Sequence, residues 1–346
     1  MKRIIAFILV LVTIVSFAGC SGKIEESGKD MAEPQLEEET DVEIQNVEKT
    51  KKVYFINAIR ALDYFVNIEA SVKKECEDRG YEVTCVDCNA DYNKASEYVS
   101  QAILEKYDAI MICGDGSLIP AALEAKEAGI PVVNYDAYIG GGDVAARVSS
   151  DNIKMGKMAG EYAIELLKEK YDGEVKGNVV YINFSISSMQ ERCEGFKAAF
   201  ENYPDVILEE QIPKDQFVDA CSVLMENVLT ANPAGTIDVI YGSNSGAALG
   251  ALAAAETANR KEVQVIGIDD EEGQINALKE SDVPYYMTVS QDPIAIGRIS
   301  IEAIEKIFAG EEVGNVTVDA RIVTKDNVEE FIANEQKSKN EIAPYK

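Results

Sequence analysis

The chain has 346 residues, 33 of them basic and 61 acidic, giving a formal net charge of −28, and it contains no histidine. That balance excludes non-specific nucleic-acid binding, which needs a basic stripe against phosphate, and the missing histidine excludes Ser-His-Asp catalysis and His-ligated metal centres. The length, with 47% hydrophobic residues, is ample for one large core or two ordinary ones.

The first twenty residues read as an export signal. Lys2 and Arg3 open it, residues 4–17 are almost unbroken apolar sequence, and Phe17-Ala18-Gly19-Cys20 closes it. These are the basic, apolar and small-residue cleavage regions of a secretory leader. The apolar run is shorter than the roughly 18–20 residues of a membrane-spanning helix. The end of the segment resembles a bacterial lipobox, with Phe17 where leucine is usual. Cys20 is therefore expected to carry a diacylglycerol and to anchor an exported protein to the outer face of the cell membrane; the alternative is a plain signal peptide. Residues 21–52 are rich in Glu, Lys and Ser and lack aromatic residues. They cannot bury enough surface to offset their ordering entropy, and are expected to form an acidic, disordered tether. Loss of the leader leaves 31 basic against 61 acidic residues.

From residue 53 the pattern alternates. Residues 53–56 read as an apolar strand, 64–79 as an amphipathic helix ended by Gly80, and 82–86 as a strand. Helix 93–106, strand 109–112, helix 120–128 and strand 131–134 follow. A second series runs through helix 154–169, strand 179–182, helix 191–202, strand 206–211, helix 217–230, strand 238–241, helix 246–258 and strand 263–268. Continuous apolar strands alternating with helices imply parallel sheets covered on both faces. The units are too many for one sheet, so the fold class is α/β with two doubly wound domains, and ligands are expected at the carboxyl ends of the strands.

Six further cysteines, Cys76, Cys85, Cys88, Cys113, Cys193 and Cys221, form an even set that invites disulfides in an exported protein. Most lie inside apolar runs of a chain too large to need cross-links, so free buried thiols are expected. Cys85-Val86-Asp87-Cys88 has redox or zinc spacing but no second pair. Asp91-Tyr92-Asn93 lacks the glycine and terminal glutamate of a calcium loop and reads as a helix start. Gly140-Gly141-Gly142-Asp143 opens no apolar helix and reads as a flexible turn rather than a phosphate loop. No cofactor or metal is implied.

Several segments together resemble the type I periplasmic sugar-binding proteins that serve ABC importers. They are Tyr107-Asp108-Ala109-Ile110-Met111-Ile112; Ala128-Gly129-Ile130-Pro131-Val132-Val133 with Asp136; Ser150-Asp151-Asn152 with Gly156, Ala159 and Gly160; Arg192-Cys193-Glu194-Gly195-Phe196; Tyr241-Gly242-Ser243-Asn244; Gly267-Ile268-Asp269; and Thr288-Val289-Ser290-Gln291-Asp292-Pro293. The resemblance spans about residues 53–330. It implies a periplasmic binding protein type I fold with a three-stranded hinge. One domain would hold 53–151 and 291–320, the other 152–290 and 321–334, with 335–346 as a tail. It also implies a monomeric, non-enzymatic protein that takes a monosaccharide and delivers it to an ABC permease.

The site implied by the resemblance suits a sugar. Carboxylates accept hydroxyl protons, a guanidinium fork donates in a plane, amides do both, and aromatic faces pack on the ring. Asp136 and Asp269 would be the acceptors, Arg192 the fork, Asn244 and Gln291 the amides, and Tyr64 with Phe65 the aromatic pair; Arg60 lies in the same loop as that pair. Each also has a plainer reading: the acids as turn caps, Arg192 paired with Glu191 or Glu194, and Tyr64 as core. Leu62-Asp63, Ala137, Ser245 and Cys113 stand where ribose-binding members carry other polar groups, and Arg60 leans toward the xylose-binding branch. Xylose or another small monosaccharide is the expected ligand. Two other outputs remain open: ligand sensing for signalling, with a sugar or a furanose quorum signal, and glycoside hydrolysis by Asp136 and Asp269 as a carboxylate pair.

Overall fold

The computed structural model describes residues 49–141, 144–280 and 284–346. The leader, Cys20, most of the acidic tether and part of the glycine turn lie outside these residues. The chain runs through β1 (Lys52–Asn57), α1 (Asp63–Asp78), β2 (Glu82–Asp87), α2 (Tyr92–Leu104), β3 (Ala109–Ile112), α3 (Ile119–Glu127), β4 (Val132–Tyr135) and β5 (Ala146–Ser150). It continues with α4 (Asn152–Lys170), β6 (Gly177–Ile182), α5 (Ser187–Ala199), β7 (Val206–Gln211), α6 (Val218–Ala231) and β8 (Val239–Gly242). After these come α7 (Ser245–Thr257), β9 (Gln264–Ile268), α8 (Glu272–Lys279) and β10 (Tyr285–Ser290). The last elements are α9 (Pro293–Phe308), β11 (Gly314–Val318), β12 (Arg321–Thr324) and α10 (Val328–Ile342). Lys52, read from sequence as the end of the tether, is already the first residue of β1.

Two six-stranded sheets repeat one plan, β2-β1-β3-β4-β5-β11 and β7-β6-β8-β9-β10-β12. Every ladder is parallel except that between β10 and β12, so the second sheet ends in one antiparallel edge strand. The strands are apolar throughout because each face meets its own core. In β1, Val53 and Phe55 join one cluster, while Tyr54 and Ile56 join the cluster on the other side. The alternation repeats in β8, where Val239 and Tyr241 face one core and Ile240 the other. Helix α1 ends at Gly80, whose φ of +67° only glycine adopts readily, with Tyr81 N–H returning to the Cys76 carbonyl. All six cysteines within the described residues are free thiols.

The chain passes between the sheets after β5, after β10 and between β11 and β12. Helix α10 continues beyond residue 335, where the sequence suggests a tail. Its Val328 and Phe331 enter the core of the second domain, while past its end the Tyr345 carbonyl accepts from Lys73 of α1 at 3.1 Å.

Helices α4 and α5 touch backbone to backbone. A Cβ at Gly156 would overlap the Arg192 carbonyl, and one at Gly195 the Ile153 carbonyl. The glycines in the Ser150–Gly160 and Arg192–Phe196 segments thus seat the helix that carries Arg192. Gly156→Ala is expected to cost about 1–3 kcal/mol by overpacking, read as a lower urea midpoint. The displaced atom is Arg192's own carbonyl, so the seat of that side chain should shift with it.

Candidate functional site

The carboxyl ends of β4 and β9 carry the two acids at equivalent places in the two sheets. Asp136 has φ 57° and Asp269 φ 76°. Both lie in the left-handed region, where aspartate is tolerated better than most side chains. The Asp136 N–H is held by the Val148 carbonyl of β5, and the Asp269 N–H by the Val289 carbonyl of β10, each at 2.9 Å. The repeated turn aims both carboxylates out of the sheet ends at a local backbone cost, a pattern that clusters at binding sites.

One hydrogen-bonded chain links the two acids. The Tyr64 hydroxyl, at the start of α1, faces Asp136 Oδ1 at 2.9 Å and Gln291 Oε1 at 3.3 Å. Gln291 Nε2 donates to Asp269 Oδ1 at 2.7 Å. Asp269 Oδ2 accepts from the Ser245 N–H at 3.0 Å, at the positive end of α7. Arg192 is 4% exposed. It donates from Nε to Asn152 Oδ1 at 2.9 Å and from Nη1 to the Ser243 carbonyl at 3.0 Å, and Nη1 lies 3.8 Å from Asp269 Oδ1.

Burial raises the Asp136 carboxyl above its ordinary range, and the Arg192 charge pulls it back down. Burial also lifts the Tyr64 phenol well above its usual value, as does the Asp136 charge beside it, so Tyr64 stays protonated and donates. The Cys113 thiol, pushed up by burial and then by Asp136, donates to Asp136 Oδ2 at 3.9 Å. The arrangement offers oriented acceptors, one planar cation and one phenol to a ligand rich in hydroxyl groups.

Of the residues named from sequence, Tyr64, Asp136, Arg192, Asp269 and Gln291 come together. Phe65 stands edge-on to Tyr64, with ring centroids 5.1 Å apart, and packs into the core of the first sheet. Asn244 lies beside the group, but its amide caps α7, accepting from Ala247 N–H at 2.9 Å and donating to the Gln216 carbonyl at 3.3 Å. Arg60 is not brought into the group. Its Nε and Nη2 fork onto Glu69 at 2.7 and 2.9 Å, and Nη2 also reaches the Cys85 carbonyl at 3.1 Å.

The family model described as a periplasmic binding protein domain matches residues 53–312. The chain belongs to that family. Ribose import binding protein RbsB of Bacillus subtilis (strain 168) is 31% identical to this periplasmic binding protein over 253 residues, covering 72% of this chain and 79% of that one. The protein of the same name from Salmonella typhimurium is 30% identical over 271 residues, 76% of this chain and 86% of that one. Among solved structures, an ABC transporter solute binding protein from Mycobacterium smegmatis with bound glycerol aligns with a TM-score of 0.73 at 28% identity, covering 81% of this chain and 96% of that one.

In this periplasmic binding protein the sequence reading names Ser150 only within a crossover segment and misses Arg147. Ser150 Oγ, at the end of β5, is buried without a hydrogen-bond partner among the described residues, and so is Arg147 Nε three residues earlier. A charged residue inside a buried strand is the signal that would have found Arg147, but the strand itself was not recognised. A separate concavity of about 790 Å³ opens at the other end of the first sheet, lined by Lys51, Tyr107, Asp108, Lys126 and Phe308 among others. It holds none of the converging groups, and doubly wound sheets bind ligand at the opposite, carboxyl ends of their strands.

Proposed function

We propose that this periplasmic binding protein is the solute-binding component of an ABC importer. It captures a small monosaccharide, xylose or a close relative, and presents it to a permease as a monomer, without catalysing a reaction on it. In this reading Cys20 carries the lipid that anchors the exported chain to the outer face of the membrane. Residues 53–151 with 291–320 form one lobe and 152–290 with 321–334 the other, closing on the ligand about three crossovers. Tyr64, Asp136, Arg192, Asp269 and Gln291 contact the sugar. Asn244 shapes the floor beside Asp269, Phe65 backs Tyr64, and Arg60 supports the loop before α1.

The observation that carries this reading is the pair of equivalent left-handed aspartates joined through Tyr64 and Gln291, with Arg192 beside them. Hydroxyls can exchange with each link of that chain. The import of ribose named for the two curated relatives supports the same class of cargo.

A thermal-shift screen of the exported part against pentoses, hexoses, polyols and a furanose signal analogue tests it. A ligand at about a hundred times its Kd adds roughly 2.7 kcal/mol, so a clear rise with one pentose or hexose is expected. A rise with the furanose analogue alone would replace import with signalling. No rise with any sugar or polyol would remove the sugar reading.

A further inference from the structure

Strand β5 brings one cation to the cleft. Arg147 stands among Ala146, Val148, Ser149 and Ser150, and its side chain is 15% exposed. Its guanidinium lies 4.6 Å from the ring centroid of Tyr138, in the turn that carries Asp136. Its Nη2 lies 3.8 Å from Glu191 Oε2, on α5 of the second domain. The same Glu191 oxygen accepts from Asn152 Nδ2 at 3.0 Å, and Asn152 Oδ1 accepts from Arg192 Nε at 2.9 Å. Arg147 Nε has no hydrogen-bond partner among the described residues.

We propose that Arg147 is a positioning residue of the binding cleft, tying the first domain to Glu191 of the second and, through Asn152, orienting the guanidinium of Arg192. The inference rests on the cleft reading above. Its logic is one of amide polarity. An asparagine offers two donors on one side and an acceptor on the other, and Asn152 faces a carboxylate and a guanidinium. Only one orientation satisfies both, and Glu191 enforces it. Glu191 in turn has Arg147 opposite it, a planar cation that stacks on an aromatic face.

The link joins residues of the two domains without a bound ligand, so ligand-free exchange can read it. Arg147 and Arg192 face three carboxylates, Asp136, Asp269 and Glu191, which suits an uncharged, polyhydroxylated ligand better than a sugar acid or sugar phosphate.

The test uses the full chain in detergent, with D-xylose and D-ribose as probes. Arg147→Lys, Arg147→Met, Glu191→Gln and the Arg147→Met/Glu191→Gln double variant are compared with wild type by calorimetric titration. Ligand-free amide exchange is followed in β5 and the first turns of α5. Arg147→Met and Glu191→Gln should each weaken binding about tenfold, with the double variant no weaker than the worse single one, the signature of a coupled pair. Arg147→Lys should recover only part of the loss. Exchange in the first turns of α5 should rise several-fold, while exchange in the core strands stays unchanged. Affinities within about twofold of wild type, or strictly additive losses, would overturn the role of Arg147 while leaving the sugar reading intact. If wild type binds neither sugar, the sugar reading loses its support and the exchange arm still decides: α5 exchange unchanged in all variants overturns the link, and a rise confined to α5 upholds it.

Discussion

Replacing Arg192 by alanine is expected to weaken sugar binding by roughly 2–5 kcal/mol, the range for truncating one partner of a buried, hydrogen-bonded charge pair. Arg192 is 4% exposed and holds Asn152, the Ser243 carbonyl and the vicinity of Asp269 at once. Alanine would leave the Asn152 and Ser243 acceptors unpaired at the base of the cleft and remove the charge that pulls Asp136 down. Asp269→Ala should act with similar size from the other side. It strips the Ser245 N–H and Gln291 Nε2 of their shared acceptor and frees Gln291 from its place beside Tyr64. Arg192→Lys keeps a positive charge but loses the planar fork, so it should fall between wild type and alanine. Calorimetric titration with the sugar that gives the thermal shift is the measurement. Wild-type affinity in both alanine variants would show that the ligand sits elsewhere.

Much of the scaffold was legible because buried parallel strands such as Val53-Tyr54-Phe55-Ile56 face two cores and carry no polar alternation. Of the strands that went unread, β5, β11 and β12 did so for the converse reason. They contain Arg147, Ser149 and Ser150, Asn315 and Thr317, or Arg321, and two of them lie at sheet edges. The acids were named through the family resemblance, and each directly follows an apolar strand. What sequence could not reveal is which local partner captures a side chain first. Arg60 is held by Glu69, a residue 4% exposed on α1 that also accepts from Asn57 and pairs with Lys73. The helical period of α1 puts this glutamate on the face of Phe65, Val72 and Cys76, but does not say which cation it captures there. Asn244 shows the same competition, its amide spent on the first turn of α7.

Asp270 should make the protein's stability fall as pH rises, and Asp270→Asn should remove that fall. The residue follows Asp269, and its Oδ2 accepts from Ser290 Oγ at 3.2 Å. Burial is the main cause that pushes its carboxyl from 3.8 up to about 7, with Glu335 and Asp269 adding to the rise and Lys339 opposing it. A carboxyl raised in the folded state binds its proton more tightly there than in the unfolded chain. Its contribution is therefore complete below about pH 4 and is lost as pH climbs through about 7. At 1.36 kcal/mol per pH unit the full shift is worth about 4 kcal/mol. Asp270 keeps some exposure to water, so the loss expected at pH 8 is roughly 2–4 kcal/mol. Asparagine retains an acceptor for Ser290 without a proton to lose. Urea titrations at pH 4.5, 6 and 8 should show the variant close to wild type at the lowest pH and clearly more stable at the highest. Parallel pH slopes for the two proteins would place the ionisation elsewhere. Ser290 Oγ also reaches the Gln291 carbonyl at 2.9 Å, so the Asp270 charge lies one residue from a crossover and from the glutamine that joins the two halves of the site. Removing that charge while keeping the Ser290 contact should leave sugar affinity at neutral pH intact, separating the pH response of the fold from the chemistry of the cleft.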